Sequence, residues 1–180
     1  LNNKLLKIGS QILLIWGGVS LISVLLLIGY LGYSITLGNT NSENSASKSD
    51  VRFVLNWSEL GDERIEKVIK SYESARWFTG DHLDAYAIKI TDISISELSS
   101  TQTGKWYQVD SLPEILDDAV SLIGEWQYEI PWFPSEEKLR NDEFYVYPWS
   151  IYCHGVKPSS VQLIFLKPDE KMVYYISVKM

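Results

Sequence analysis

An uncharged run from Ile12 to Tyr33 constrains this chain more than any other stretch. It reads ILLIWGGVSLISVLLLIGYLGY, and the nearest charges are Lys7 before it and Glu43 after it. As a helix, these residues at about 1.5 Å each reach roughly 33 Å, against a bilayer hydrocarbon core of about 30 Å. Thirteen of them are Ile, Leu or Val. Each of those favours the membrane centre by about 0.3–0.6 kcal/mol, which outweighs the glycines and the two serines. Trp16 near one end, and Tyr30 and Tyr33 near the other, suit the membrane–water boundary. A cleavable secretory leader has a shorter apolar stretch followed closely by a small-residue cleavage site. Here the nearest candidate site, Ser45-Ala46-Ser47, lies too far downstream. Residues 12–37 are therefore read as an uncleaved membrane anchor.

Orientation follows from charge. The tail at 1–11 carries Lys4 and Lys7 and no acid, whereas the far side shows no cation until Lys48. Positive-inside bias places the tail in the cytoplasm and everything after the span in the periplasm or outside the cell, as a single-pass inner- or plasma-membrane protein. No G-x-x-x-G motif marks the span as a dimer face.

Beyond the span the chain holds all 23 acidic residues and 14 of the 16 basic ones, a formal charge of −9. That excludes a nucleic-acid binder, which needs a basic face, and a domain lying flat on anionic lipid by charge. It favours a protein partner with basic surface. Cys153 is the single cysteine, so no intramolecular disulfide can form. No cofactor motif is present.

Residues 38–50 are rich in Ser and Asn and read as a flexible linker, with one extracytoplasmic α+β domain at 51–180. Alternation of Val51, Phe53, Leu55 and Trp57 predicts a strand. Ile65, Val68, Ile69, Tyr72 and Ala75 keep helical spacing and predict a helix over 62–77. A strand is expected over 83–90, with a bulge or break near Thr91-Asp92. A turn follows at 97–105, then a short strand over 106–109. Ser111-Leu112-Pro113-Glu114 has capping-box spacing and opens a second helix with Ile115, Leu116, Ala119, Leu122, Ile123 and Trp126 inward. A strand over 144–153, with Pro148 at an edge or bulge, precedes a hairpin of 161–166 and 172–178 around Pro168-Asp169-Glu170-Lys171. The first six elements match the βαββαβ order of a ferredoxin-like unit. A helix packed on a curved antiparallel sheet fits nearly as well.

Three clusters carry potential chemistry. In Gly80-Asp81-His82-Leu83-Asp84, Asp81 or Asp84 could orient His82 as a general base, although a capped turn beside a surface histidine is the plainer reading. No second His or Cys stands at metal-ligand spacing. Cys153 and His154 are neighbours on a strand and so point to opposite faces. Ser135-Glu136-Glu137-Lys138 matches S-x-x-K, but lacks the companion motifs of the enzymes that use it. Asn56-Trp57-Ser58 fits a glycosylation acceptor only weakly. Finally, nine aromatic residues lie between Trp126 and Tyr152. Trp132, Phe133 and Trp149 are the candidates to contact a partner.

The leading expectation is a membrane-anchored, non-catalytic domain that binds a protein, as an immunity or inhibitor protein or an accessory subunit of an envelope assembly would. A small enzyme using His82 with Asp81 or Asp84 is the alternative. A cell-wall or carbohydrate-binding module using exposed aromatics is the third reading.

Overall fold

The apolar run forms part of one helix, α1 (Asn2–Thr36), which also takes in the tail. Within it, Leu13–Tyr33 is long and apolar enough to cross a membrane. Ser23 turns its hydroxyl back onto the Val19 carbonyl at 2.9 Å, which satisfies a polar group without solvent. In this computed structural model the described residues are 2–36, 39–98, 106–141 and 143–180. Most of the turn expected over 97–105 lies outside them. The chain divides into two units at Thr40/Asn41.

The second unit is α+β. Its elements are β1 (Ser42–Glu43), α2 (Arg52–Trp57), β2 (Ile65–Glu73), β3 (His82–Ile90), α3 (Ile95–Leu98), β4 (Tyr107–Gln108), α4 (Glu114–Gly124), α5 (Glu136–Leu139), β5 (Tyr145–His154), β6 (Lys157–Lys167) and β7 (Met172–Lys179). Among the described residues the seven strands form one antiparallel sheet in the order β1-β2-β3-β7-β6-β5-β4. This order departs from the ferredoxin-like arrangement and matches the antiparallel sheet with a packed helix.

Two elements exchange type relative to the sequence reading. Residues 52–57 are helical because the same residues also satisfy a period of 3.6. Val51, Val54, Leu55 and Ser58 are completely buried, and Phe53 meets Trp57 one turn on, with ring centroids 4.5 Å apart. A segment this short satisfies both periods. Residues 65–73 form a strand because β2 is bulged twice, at 65/67 and 68/70. Ile65, Val68 and Ser71 of β2 thereby face Ile90, Ile88 and Tyr86 of β3. A spacing of three on one strand matches two on the other, which imitates a helix.

The polar stretch before the domain is also tied down in part. Asn44 donates its N–H to the Ser71 carbonyl (2.9 Å) and Ala46 donates to Ser71 Oγ (3.2 Å), so β1 extends the sheet where a flexible linker was expected. Beyond β3 the strand ends and the chain turns into α3, which accounts for the change of parity at Ile93. The capping box is not made. Pro113 itself is the N-cap, no side chain caps α4, and Ser111 lies in a 3₁₀ turn. Pro148 sits where β5 is bulged and past the reach of β4, two settings that tolerate a residue without an N–H.

Strand alternation assigns each face of the sheet its own core. Leu83, Ala85, Val161, Leu163, Phe165, Ile176 and Val178 pack under α4, whose Leu116, Ala119, Val120 and Ile123 are buried, while Ile115 faces outward. On the other face Ile88, Ile90, Ile164, Leu166 and Val173 pack under Val51, Val54 and Leu55.

Candidate functional site

Pro131-Trp132-Phe133-Pro134 cannot continue α4, because neither proline can donate the helical hydrogen bond. The segment instead runs over the α4 face of the sheet and ends at α5. There Ser135 Oγ accepts the Lys138 N–H at 3.3 Å, so the S-x-x-K spacing serves as a helix cap. The loop and the β6–β7 turn enclose a groove of about 320 Å³.

The aromatic lining comes from Trp132, Phe133, Phe144 and Tyr174, and the rim carries Lys138, Asn141, Glu143, Lys167 and Glu170. Phe133 meets Tyr174 edge-on, with centroids 5.8 Å apart, and is only 3% exposed. It therefore anchors the floor and presents little ring to solvent. Trp132 is half-buried and remains available at the rim. Lys167 bonds Glu170 at 2.7 Å and Glu143 at 2.9 Å and lies 5.5 Å from the Phe144 ring centroid. Those two carboxylates, Glu170 first, hold its ammonium above the usual lysine range, so the charge is permanent. The accessible lining of this groove is mainly polar, with both signs of charge at its mouth and Trp132 and Tyr174 as its more accessible rings, a mixture found at protein-binding surfaces.

Trp149 lies on the other face of the sheet. Its indole stacks on Trp57 at 4.6 Å with an interplanar angle of 3°, and it is 42% exposed. Trp132 and Trp149 thus cannot form one platform for a sugar chain. Each would have to act alone.

His82 is held by both ring nitrogens. Nδ1 is 2.9 Å from the Gly80 carbonyl, and Nε2 is 2.9 Å from Ser177 Oγ. A carbonyl can only accept, so Nδ1 donates to Gly80, and in the neutral tautomer this leaves Nε2 to accept from Ser177 Oγ. Neither Asp81 nor Asp84 orients the ring. Asp81 accepts from Thr79 Oγ1 at 2.5 Å, and Asp84 pairs with Arg76 at 2.6 Å. Serine, imidazole and carbonyl stand in the order of a proton relay, but Ser177 is 2% exposed and no substrate reaches it there.

The cluster belongs to a polar row across the strands, in which Glu73, Asp84, Ser177, Gln162 and Ser150 stand opposite one another in register. Burial raises the Asp84 carboxyl above its ordinary range against the pull of Arg76. Its Oδ1 has no hydrogen-bond partner. His154 lies on β5, three strands from His82 and roughly 14 Å away at the usual strand spacing. The two histidines do not meet. Cys153 is half-buried and His154 is exposed. Among the described residues no group of three His, Cys, Asp or Glu could hold a metal.

Sequence reasoning found Trp132 through aromatic density between prolines. It missed Lys138, Glu143, Lys167 and Glu170, which come from three separate segments and converge only through the sheet. Neither a known family, nor a characterised protein, nor a solved structure matches this chain, so its function has to be read from the geometry of the domain.

Proposed function

We propose that this protein is a single-pass membrane protein whose C-terminal domain, on the non-cytoplasmic side, binds a protein partner without catalysis. The groove beside Trp132 carries this reading. It is a formed, aromatic-floored slot rimmed by Lys138 and by the Lys167–Glu143–Glu170 cluster. The acidity of the domain adds long-range attraction for a basic partner, while the local rim sets orientation. An immunity or inhibitor protein, or an accessory subunit of an envelope assembly, would use a site of this kind.

The test is site-directed photocrosslinking of the full chain in its native membrane, with the probe at Trp132 or at Trp149. A discrete adduct from position 132, lost when Lys138→Glu is added and unaffected by Trp149→Ala, is the expected result. Adducts from 149 alone would move the site to the opposite face. No adduct from either position would count against a binding role for both.

A further inference from the structure

The β2–β3 turn holds two aromatic side chains in solvent. Trp77 is 76% exposed and Phe78 is 97% exposed, the highest of any large apolar side chain among the described residues. The turn is hydrogen-bonded from both sides. Gly80 donates to the Trp77 carbonyl at 2.8 Å and Trp77 to the Asp81 carbonyl at 3.2 Å. Lys179 Nζ braces the Thr79 carbonyl from the neighbouring β7 at 3.0 Å. Gly80 at φ +80° supplies the left-handed residue that the tight turn requires. Two adjacent large rings held outward on a hydrogen-bonded turn form an exposed apolar patch of the kind that marks an interaction surface.

The chain joins the domain beside this turn. Asn41 Oδ1 accepts the Ala75 N–H at 2.8 Å, only two residues before Trp77, and Asn41 Nδ2 donates to Tyr72 Oη at 3.0 Å. The tether therefore meets the sheet at the same end as the exposed turn. Tyr72 Oη in turn donates to Glu129 at 3.0 Å, which brings the neighbouring Tyr128, 75% exposed, to this end as well. From Tyr33, the last residue of the apolar span, to Asn41 is eight residue steps. Fully extended, that reaches at most about 28 Å.

The far end of the sheet is richer in ion pairs than the tether end, which holds the Arg76–Asp84 pair. Around the β6–β7 turn and the start of β2, Arg52–Asp62, Arg64–Glu97, Lys171–Asp92 and the Lys167 cluster form ion pairs. The end that exposes Trp77 and Phe78 is thus the one that lies next to a short tether.

We infer that Trp77 and Phe78 insert into the headgroup region of the bilayer that α1 spans, and so hold the tether end of the sheet against the membrane. This rests on the membrane-anchor reading above. Aromatic rings favour that boundary, and the tether keeps the turn at high effective concentration beside it. Insertion is driven by the rings rather than by charge, so it is insensitive to salt. The Trp132 groove lies by the β6–β7 turn at the far end, and remains open to a partner.

The test uses the full chain with Cys153→Ser in phosphatidylcholine–phosphatidylglycerol nanodiscs. A single nitroxide is placed by Phe78→Cys, Asp169→Cys or Leu26→Cys, and collision with oxygen is compared with collision with a water-soluble nickel chelate. The expected result is a headgroup-depth signature at 78, unchanged at high salt, with full nickel access at 169 and none at 26. A label at 78 as nickel-accessible as one at 169 overturns the inference. So does a label shielded from both reagents, which would mean a protein covers the turn. If position 26 is itself open to nickel, the anchor reading fails and the inference with it. Placing the label by Trp77→Cys repeats the measurement without relying on position 78.

Discussion

Arg140 ties α5 to α4 at the surface, above the core that Leu139 shares with α4. Its guanidinium bonds Asp117 of α4, Glu136 of α5 at 2.9 Å and Ser121 at 2.8 Å. Most of these groups are a third or more exposed, so solvent screens the pairs, and their joint worth is about 1 kcal/mol. Arg140→Met, which keeps the stem and removes the charge, is expected to lower Tm by about 2–4 °C in thermal denaturation. Asp84 behaves in the opposite sense. Burial raises its folded pKa, so the native state holds this proton more tightly than the unfolded chain does. Its contribution is fullest below the ordinary aspartate range and is lost as pH rises through the raised value. Asp84→Asn is expected to match wild type in acid and to be at least as stable at neutral pH, read from Tm against pH. A variant markedly less stable at neutral pH would show that the Arg76 pair outweighs the burial cost.

At the scale of elements, β3, β6, β7 and α4 were legible because each shows its period over eight or more residues, and Pro168-Asp169-Glu170-Lys171 is strong turn chemistry. α2 and β2 were not. Six residues cannot tell a period of 2.0 from 3.6, and two bulges gave β2 a spacing of three. β1 was hidden because it is held by strand pairing with β2 and by hydrogen bonds just after it, from the Asn44 N–H to the Ser71 carbonyl and from the Ala46 N–H to Ser71 Oγ, rather than by apolar content. Of the site, only Trp132 could be read from the chain, since the convergence of Lys138 with Glu143, Lys167 and Glu170 exists only once the strands are ordered. If β1 is docked, hydrogen exchange of the full chain in detergent will show the amides of Asn44 and Ala46 protected well beyond that of Ser49. Equal, fast exchange at all three would return the segment to a free linker.

At the scale of the whole domain, the polarity between its two ends is the main functional consequence of the fold. The tether end carries Trp77 and Phe78 and the far end carries the groove, so the proposed membrane contact and the proposed partner contact need not compete. The same sheet has its own order of assembly. β7, made after every other strand described, lies at the centre between β3 and β6. The local pairs β2–β3 and β5–β6 can form early, but they become one sheet only when residues 172–179 are inserted between them, a closure of high contact order. During synthesis the two halves must therefore wait, each with an open strand edge, until the C-terminal strand has emerged. Folding of this domain is expected to follow translation of β7 rather than accompany translation of β2 and β3. Stalled nascent chains that end before Met172 should be cut readily by protease within β2–β3, and chains extended past Lys179 should resist.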